Sequence, residues 1–155
     1  MHKLRIYIDT SVIGGCFDEE FQEWSNKLFD EFIAGKKIAV ISPTTIDELK
    51  DAPQYVKDKF KEIPVEYTEL LIFNSDVELL AVEYIKNNAI SYKFLDDATH
   101  IAFATFYKID ILVSWNFKHI VNINRIRKYN SISLVNGYST IDIRTPREVL
   151  SDEED

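Results

Sequence analysis

The stretch Leu4-Arg5-Ile6-Tyr7-Ile8-Asp9-Thr10-Ser11 decides how the chain reads. Leu4 to Ile8 is a short apolar, β-branched run without a turn former, the pattern of a central strand. It stops abruptly at three polar residues, Asp9, Thr10 and Ser11. An acid at the carboxyl end of a strand suits a ligand or metal site. The same residue types also end strands and cap turns for purely structural reasons.

Working outward, Ile38 to Ser42 reads as a second strand, closed by Pro43, and Ile109 to Ser114 as a third, followed at once by Trp115-Asn116-Phe117. Between the first two, Phe21, Trp24, Leu28 and Phe32 recur at helical spacing within Glu19 to Ala34. Lys36 and Lys37, after Gly35, read as helix-end signals. Thr44 or Thr45 caps a short helix carrying Asp47, Glu48 and Leu49, which Pro53 stops. Gln54 to Ile63 and Glu66 to Phe73 are helical or mixed. Ser75-Asp76-Val77-Glu78 resembles a capping box that opens a helix through Tyr84 and Lys86. Leu95 to Tyr107 is helical, with Ala98, Ile101, Ala102 and Phe106 on its apolar face, and Asn122 to Tyr129 forms a short basic helix. Tyr138 to Ile143 alternates as a last strand, with Ile141 and Ile143 inward. Strands alternating with helices predict a three-layer α/β/α domain with a mainly parallel sheet.

Composition narrows the function. At 155 residues and 46% hydrophobic, the chain suits one globular domain, expected over 1–150, with an acidic tail over 151–155. Cys16 is the lone cysteine, so no internal disulfide or cysteine zinc cluster is available. No apolar run approaches the ~20 residues that span a bilayer; no membrane is expected as partner, and the setting reads as reducing and cytoplasmic. Net charge is −8, half of it from Asp152 to Asp155, which argues against a broadly basic nucleic-acid surface. Contacts to RNA must then be local. Lys118, His119, Arg125, Arg127 and Lys128 are the local candidates, with a solvated basic face as the equal alternative.

In parallel α/β sheets, sites gather beyond the carboxyl ends of the strands. Asp9 ends the first strand, Asn116 lies just past the third, and Glu48 starts soon after the second. Asp97, in the first turn of a helix, is less constrained. Carboxylates about 4 Å apart repel by roughly 4 kcal/mol at an effective dielectric near 20, so either one takes up a proton or a cation sits between them. Carboxylate oxygens with water are the ligand set of Mg²⁺ or Mn²⁺. Residue by residue, structural alternatives stand beside this: Glu48 as a solvated helix residue, Asp96-Asp97 as a cap with its dipole partner, His100 as a hydrogen-bonded core histidine, Trp24 and Trp115 as core or groove wall.

The segments Ile6-Tyr7-Ile8-Asp9-Thr10-Ser11, Glu48 after a strand and a turn, Asp97-Ala98-Thr99-His100-Ile101-Ala102, and Leu112-Val113-Ser114-Trp115-Asn116-Phe117 occur in an order that resembles the PIN-domain family. The resemblance covers nearly the whole chain. It implies a mainly parallel sheet flanked by helices and Mg²⁺- or Mn²⁺-dependent cleavage of single-stranded or structured RNA. It also implies kinship with VapC-type toxins of type II toxin-antitoxin pairs, which a small antitoxin neutralises, and a homodimer. By that resemblance Asp9, Glu48 and Asp97 match the acidic metal ligands, and Thr10, Ser11 and Ser114 the polar residues supporting them. One departure stands out: the family commonly places a fourth acid where this chain has Asn116. An amide brings no charge, so a catalytically degenerate PIN fold that binds protein or RNA is the alternative reading. A haloacid-dehalogenase-type phosphatase fits less well, since its second acid would fall at Ser11. A response-regulator fold lacks its paired acids and lysine here.

Overall fold

Five parallel strands in the order β3-β2-β1-β4-β5 form one sheet in a computed structural model that describes residues 2–152. The strands are β1 (Arg5–Ile8), β2 (Ile38–Ile41), β3 (Thr68–Leu70), β4 (Ile111–Val113) and β5 (Asp142–Arg144). From the central β1 the chain builds outward through β2 and β3, then returns to the other side of β1 for β4 and β5. The order therefore reverses between β1 and β4, at the carboxyl ends that hold Asp9 and Ser114.

The pleat sends alternate side chains to two cores. Tyr7, Val40 and Leu112 face one way, beneath α5 (Ser75–Lys86), α6 (Leu95–Phe106) and α7 (Ile123–Val135). Ile6, Ile8, Ala39, Ile41 and Val113 face the other, under α1 (Thr10–Gly14), α2 (Gln22–Ile33), α3 (Pro43–Lys50) and α4 (Gln54–Lys61). Helices on both faces complete the three layers that the sequence predicts.

Several local expectations need correction. Asp9 does not merely end a strand: its carboxylate accepts from the Val12 N–H and caps α1, an element absent from the sequence reading. The cap of α3 is Ser42 rather than Thr44 or Thr45, with Pro43 at the first helical position, where a missing N–H costs nothing. Asn74, not Ser75, caps α5. The 66–73 segment supplies the edge strand β3, too short and too polar at Thr68-Glu69 to show a strand pattern. The basic helix runs on to Val135, and β5 shortens to Asp142–Arg144. Lys37 is no exposed helix-end charge. It is buried, paired with Glu31 and hydrogen-bonded to Ser151 at 2.8 Å, so Ser151 is fastened to the domain body. The rest of the expected tail, beyond Asp152, lies outside the described residues.

Candidate active site

Asp9 is buried, and both of its oxygens are engaged. The Ser11 hydroxyl donates to Oδ1 at 2.6 Å, and the Ser114 hydroxyl donates to Oδ2 at 2.7 Å. Those serines also order the loop after β4: the Trp115 N–H donates to Ser11 Oγ and the Asn116 N–H to Ser114 Oγ, each at 2.9 Å. The Trp115 indole in turn donates to Ser25 at 2.8 Å, an approach that Gly15 permits. A Cβ at Gly15 would sit 2.6 Å from Ser25 Oγ and 2.7 Å from Trp115 Nε1. Of the two roles expected for it, Trp115 takes the core one: it is buried and stacked on Phe21 with centroids 4.2 Å apart.

Glu48 reaches the same edge from α3, whose start is tied to β1 by the Thr45 hydroxyl donating to the Ile8 carbonyl. Its Oε1 receives the Thr10 hydroxyl at 3.1 Å and His100 Nε2 at 2.9 Å. His100 is fully buried, and its other nitrogen lies 2.6 Å from the Tyr7 hydroxyl, which is itself 2.6 Å from Ser42 Oγ. His100 is therefore both a core histidine and a contact of the acidic group.

The charges explain the proton affinities. Burial raises that of Asp9, and His100, Ser11 and Ser114 only partly offset the rise. Burial likewise pushes Asp97 up, to about 6, with the neighbouring charges of Asp9 and Glu48 adding to it, while His100 and the Asn116 side chain pull it back. For Glu48, burial would raise the value, but the hydrogen bond and charge of His100, with help from Thr10, leave it below the ordinary carboxylate range. Burial opposes charge on His100, yet Tyr7, Glu48 and Asp9 outweigh it and hold its proton affinity well above that of free imidazole. Asp9, Glu48 and Asp97 thus come together from three elements, with one histidine as counter-charge. Asp97 belongs to this edge because α6 runs back toward the start of β4 and so begins at the carboxyl ends of the strands.

Asn116 serves the site differently from an acid. Its Oδ1 accepts the N–H groups of Lys118, at 3.2 Å, and His119, at 3.0 Å, closing a turn, while its side chain lies near enough to Asp97 to lower that acid's proton affinity. Its oxygen is therefore committed to the backbone.

In chemistry and charge, these oxygen donors fit a hard divalent cation, which commonly takes one or two carboxylates and keeps its waters. Among the described residues, no group of three His, Cys, Asp or Glu side chains is placed to hold an ion together. Glu48 is turned toward His100 and Thr10.

Sequence reading did not single out Tyr7, Ser42 or Ser25. A tyrosine inside an apolar strand run gives no sign that its hydroxyl will meet a histidine 93 positions away.

No family model matches the chain, and no curated protein does. Solved structures do. A chain of a toxin-antitoxin complex from Klebsiella pneumoniae matches with a TM-score of 0.58 at 16% identity, over 91% of this chain and 97% of that one. The FitAcB structure from Neisseria gonorrhoeae gives 0.59 at 14% identity, over 91% and 97%. VapC20 from Mycobacterium tuberculosis, a sarcin-ricin-loop-cleaving toxin, gives 0.56 at 13%, over 88% and 98%. The chain shares the fold of these structures, a parallel sheet flanked by helices as the sequence resemblance implies.

Proposed function

We propose that the chain is a metal-dependent endoribonuclease, the toxin of a toxin-antitoxin pair, whose site is Asp9, Glu48, Asp97 and Asn116. The observation that carries the reading is the gathering of three carboxylates at the carboxyl edge of the sheet, where burial first, and the charges of Asp9 and Glu48 after it, raise Asp97 to about 6. Buried like charges of this kind call for a cation or a proton. In this reading Asp9 and Asp97 hold Mg²⁺ or Mn²⁺, which when bound activates water and neutralises charge on the phosphodiester. Ser11 and Ser114 fix the Asp9 carboxylate. Glu48, oriented by His100, positions the attacking water, and Asn116 orients Asp97 rather than supplying a fourth charge.

The toxin role rests on the shared fold. Two of the matching structures are of FitAB and of VapBC2 bound to DNA fragments, and a small antitoxin and a homodimer are the partners proposed here by analogy. No described helix is long and apolar enough to cross a membrane. A second reading, a binding module without catalysis, draws on the turn-closing role of the Asn116 oxygen.

The test is cleavage of mixed single-stranded and hairpin RNAs with Mn²⁺, Mg²⁺ or chelator, comparing wild type with Asp9→Asn. Metal-dependent cleavage absent from the variant is the expected result. Absence of both cleavage and metal binding in the wild-type protein gives the second reading.

A further inference from the structure

Outside the acidic group, His119 is the side chain whose placement the packing leaves unexplained. It is only 6% exposed, and its ring lies on Phe94 with centroids 3.7 Å apart and planes 29° from parallel. Its Nδ1 is enclosed and, among the described residues, has no hydrogen-bond partner. Buried imidazole nitrogens are ordinarily paired. The ring is not there by accident of a loose loop, because its backbone is held at both ends. The N–H donates to Asn116 Oδ1 at 3.0 Å, and the carbonyl accepts the Tyr129 hydroxyl at 2.6 Å.

An enclosed N–H without an acceptor costs more than an enclosed lone pair. Nδ1 therefore carries the lone pair, and Nε2–H is the donor the ring can offer. The surroundings suit an anion. Exposed Lys118 is the preceding residue, and Lys93 Nζ sits 5.8 Å from the Phe94 ring centroid. Arg125 spends one guanidinium nitrogen on the Ala89 carbonyl, at 2.8 Å, and keeps its other donors. Burial, with the charges of Arg125 and Lys118, lowers the proton affinity of His119, so the ring stays a neutral donor among cations. In a chain of net charge −8 this local concentration runs against the whole. It adjoins the acidic group through Asn116, which accepts the His119 N–H and lies beside Asp97.

We propose that Lys93, Lys118, His119 and Arg125 form a phosphate-ester subsite that holds the RNA backbone one step along from the phosphate attacked at the acidic group. This rests on the ribonuclease reading above and assigns His119 as a positioning residue. Phosphate contacts fix register and respond to salt.

The test uses the full chain in chelator, so that nothing is cut. Binding of a fluorescent single-stranded RNA is followed against salt, and inorganic phosphate is titrated while the His119 Cε1–H resonance is watched. His119→Phe preserves the stack on Phe94 and removes the donor. Lys118→Gln changes an exposed side chain that cannot unsettle the fold. Each is expected to weaken RNA binding, by up to about tenfold, and Lys118→Gln to lower the log-log salt slope by about one. Phosphate is expected to move the His119 resonance. If wild type binds RNA and both variants match it in affinity and salt slope, the subsite is wrong while the ribonuclease reading stands. If wild type ignores RNA but phosphate moves His119, the subsite stands and the RNA reading falls. No response to either ligand overturns the subsite.

Discussion

Two buried charged groups lie at opposite ends of the sheet and are settled in opposite ways. At the amino ends of the strands, Glu31 and Lys37 pair in the interior, and Ser151 completes the group by donating its hydroxyl to Glu31 at 2.5 Å and its N–H at 3.1 Å. Burial alone would raise Glu31, but the hydrogen bonds from Lys37 and Ser151 prevail and hold it below the ordinary range. At the carboxyl ends, Asp9, Glu48 and Asp97 share a single histidine, and Asp97 remains raised. One group is neutralised from within the fold; at the other His100 holds Glu48 low, while at Asp97 burial and the neighbouring acids outweigh it. A buried acid raised in this way is a candidate for function, which is how the proposed metal site uses Asp97.

The comparison can be broken most visibly through activity. Asp9→Asn or Asp97→Asn should lower RNA cleavage by on the order of a thousandfold, about 4 kcal/mol in barrier, measured under single-turnover conditions. Cleavage by Asp97→Asn at the wild-type rate removes that residue from the account. At the balanced end the expected effect is on stability instead. Lys37→Met leaves Glu31 buried and unpaired and should cost about 3–5 kcal/mol in denaturant unfolding. Replacing both partners, as Glu31→Leu with Lys37→Met, should recover most of that loss. Failure to recover would show that the pair contributes more than mutual neutralisation.

A smaller effect concerns the cation. Saturating Mn²⁺ at about a hundred times its dissociation constant should stabilise wild type by about 2.7 kcal/mol. The Lys37→Met protein should keep that gain, and Asp9→Asn should lose it.

The smallest effect follows from Asp97. The native state holds this proton up to about pH 6, whereas the unfolded chain releases it near 3.8. Between those values the native state binds more protons, so its stability falls as pH rises. Asp97→Asn, without metal at pH 7, should therefore be more stable than wild type by roughly 1–2 kcal/mol after allowance for solvent screening. The advantage should vanish at pH 4. Equal stability of the two proteins across that range would mean that neither burial nor the neighbouring acids raise Asp97.

How much of this was legible in the sequence differs by link. The apolar runs around Ile6-Tyr7-Ile8 and Ile111-Leu112-Val113 announce the central strands, because strands buried on both faces leave little room for polar residues. Leu95–Phe106 announces its helix through its apolar face. β3 carries no such mark, since an edge strand of three residues can be polar. The acids are visible as residues. Their crowding, and the single counter-charge of His100, depend on contacts spanning 38 to 93 positions that no local pattern encodes. The Glu31–Lys37 pair escaped for the converse reason: a lysine after a helix reads as a solvated end signal, and only Ser151, 114 positions later, closes over it.

The most direct test is a calorimetric titration of wild type and Asp97→Asn with Mn²⁺ at neutral pH, each checked for thermal stability. Binding is predicted in wild type and absent in Asp97→Asn, although that variant melts higher without metal. No binding by wild type, or equal binding by both proteins, would contradict the claim that Asp97 helps to hold a cation at this end of the sheet.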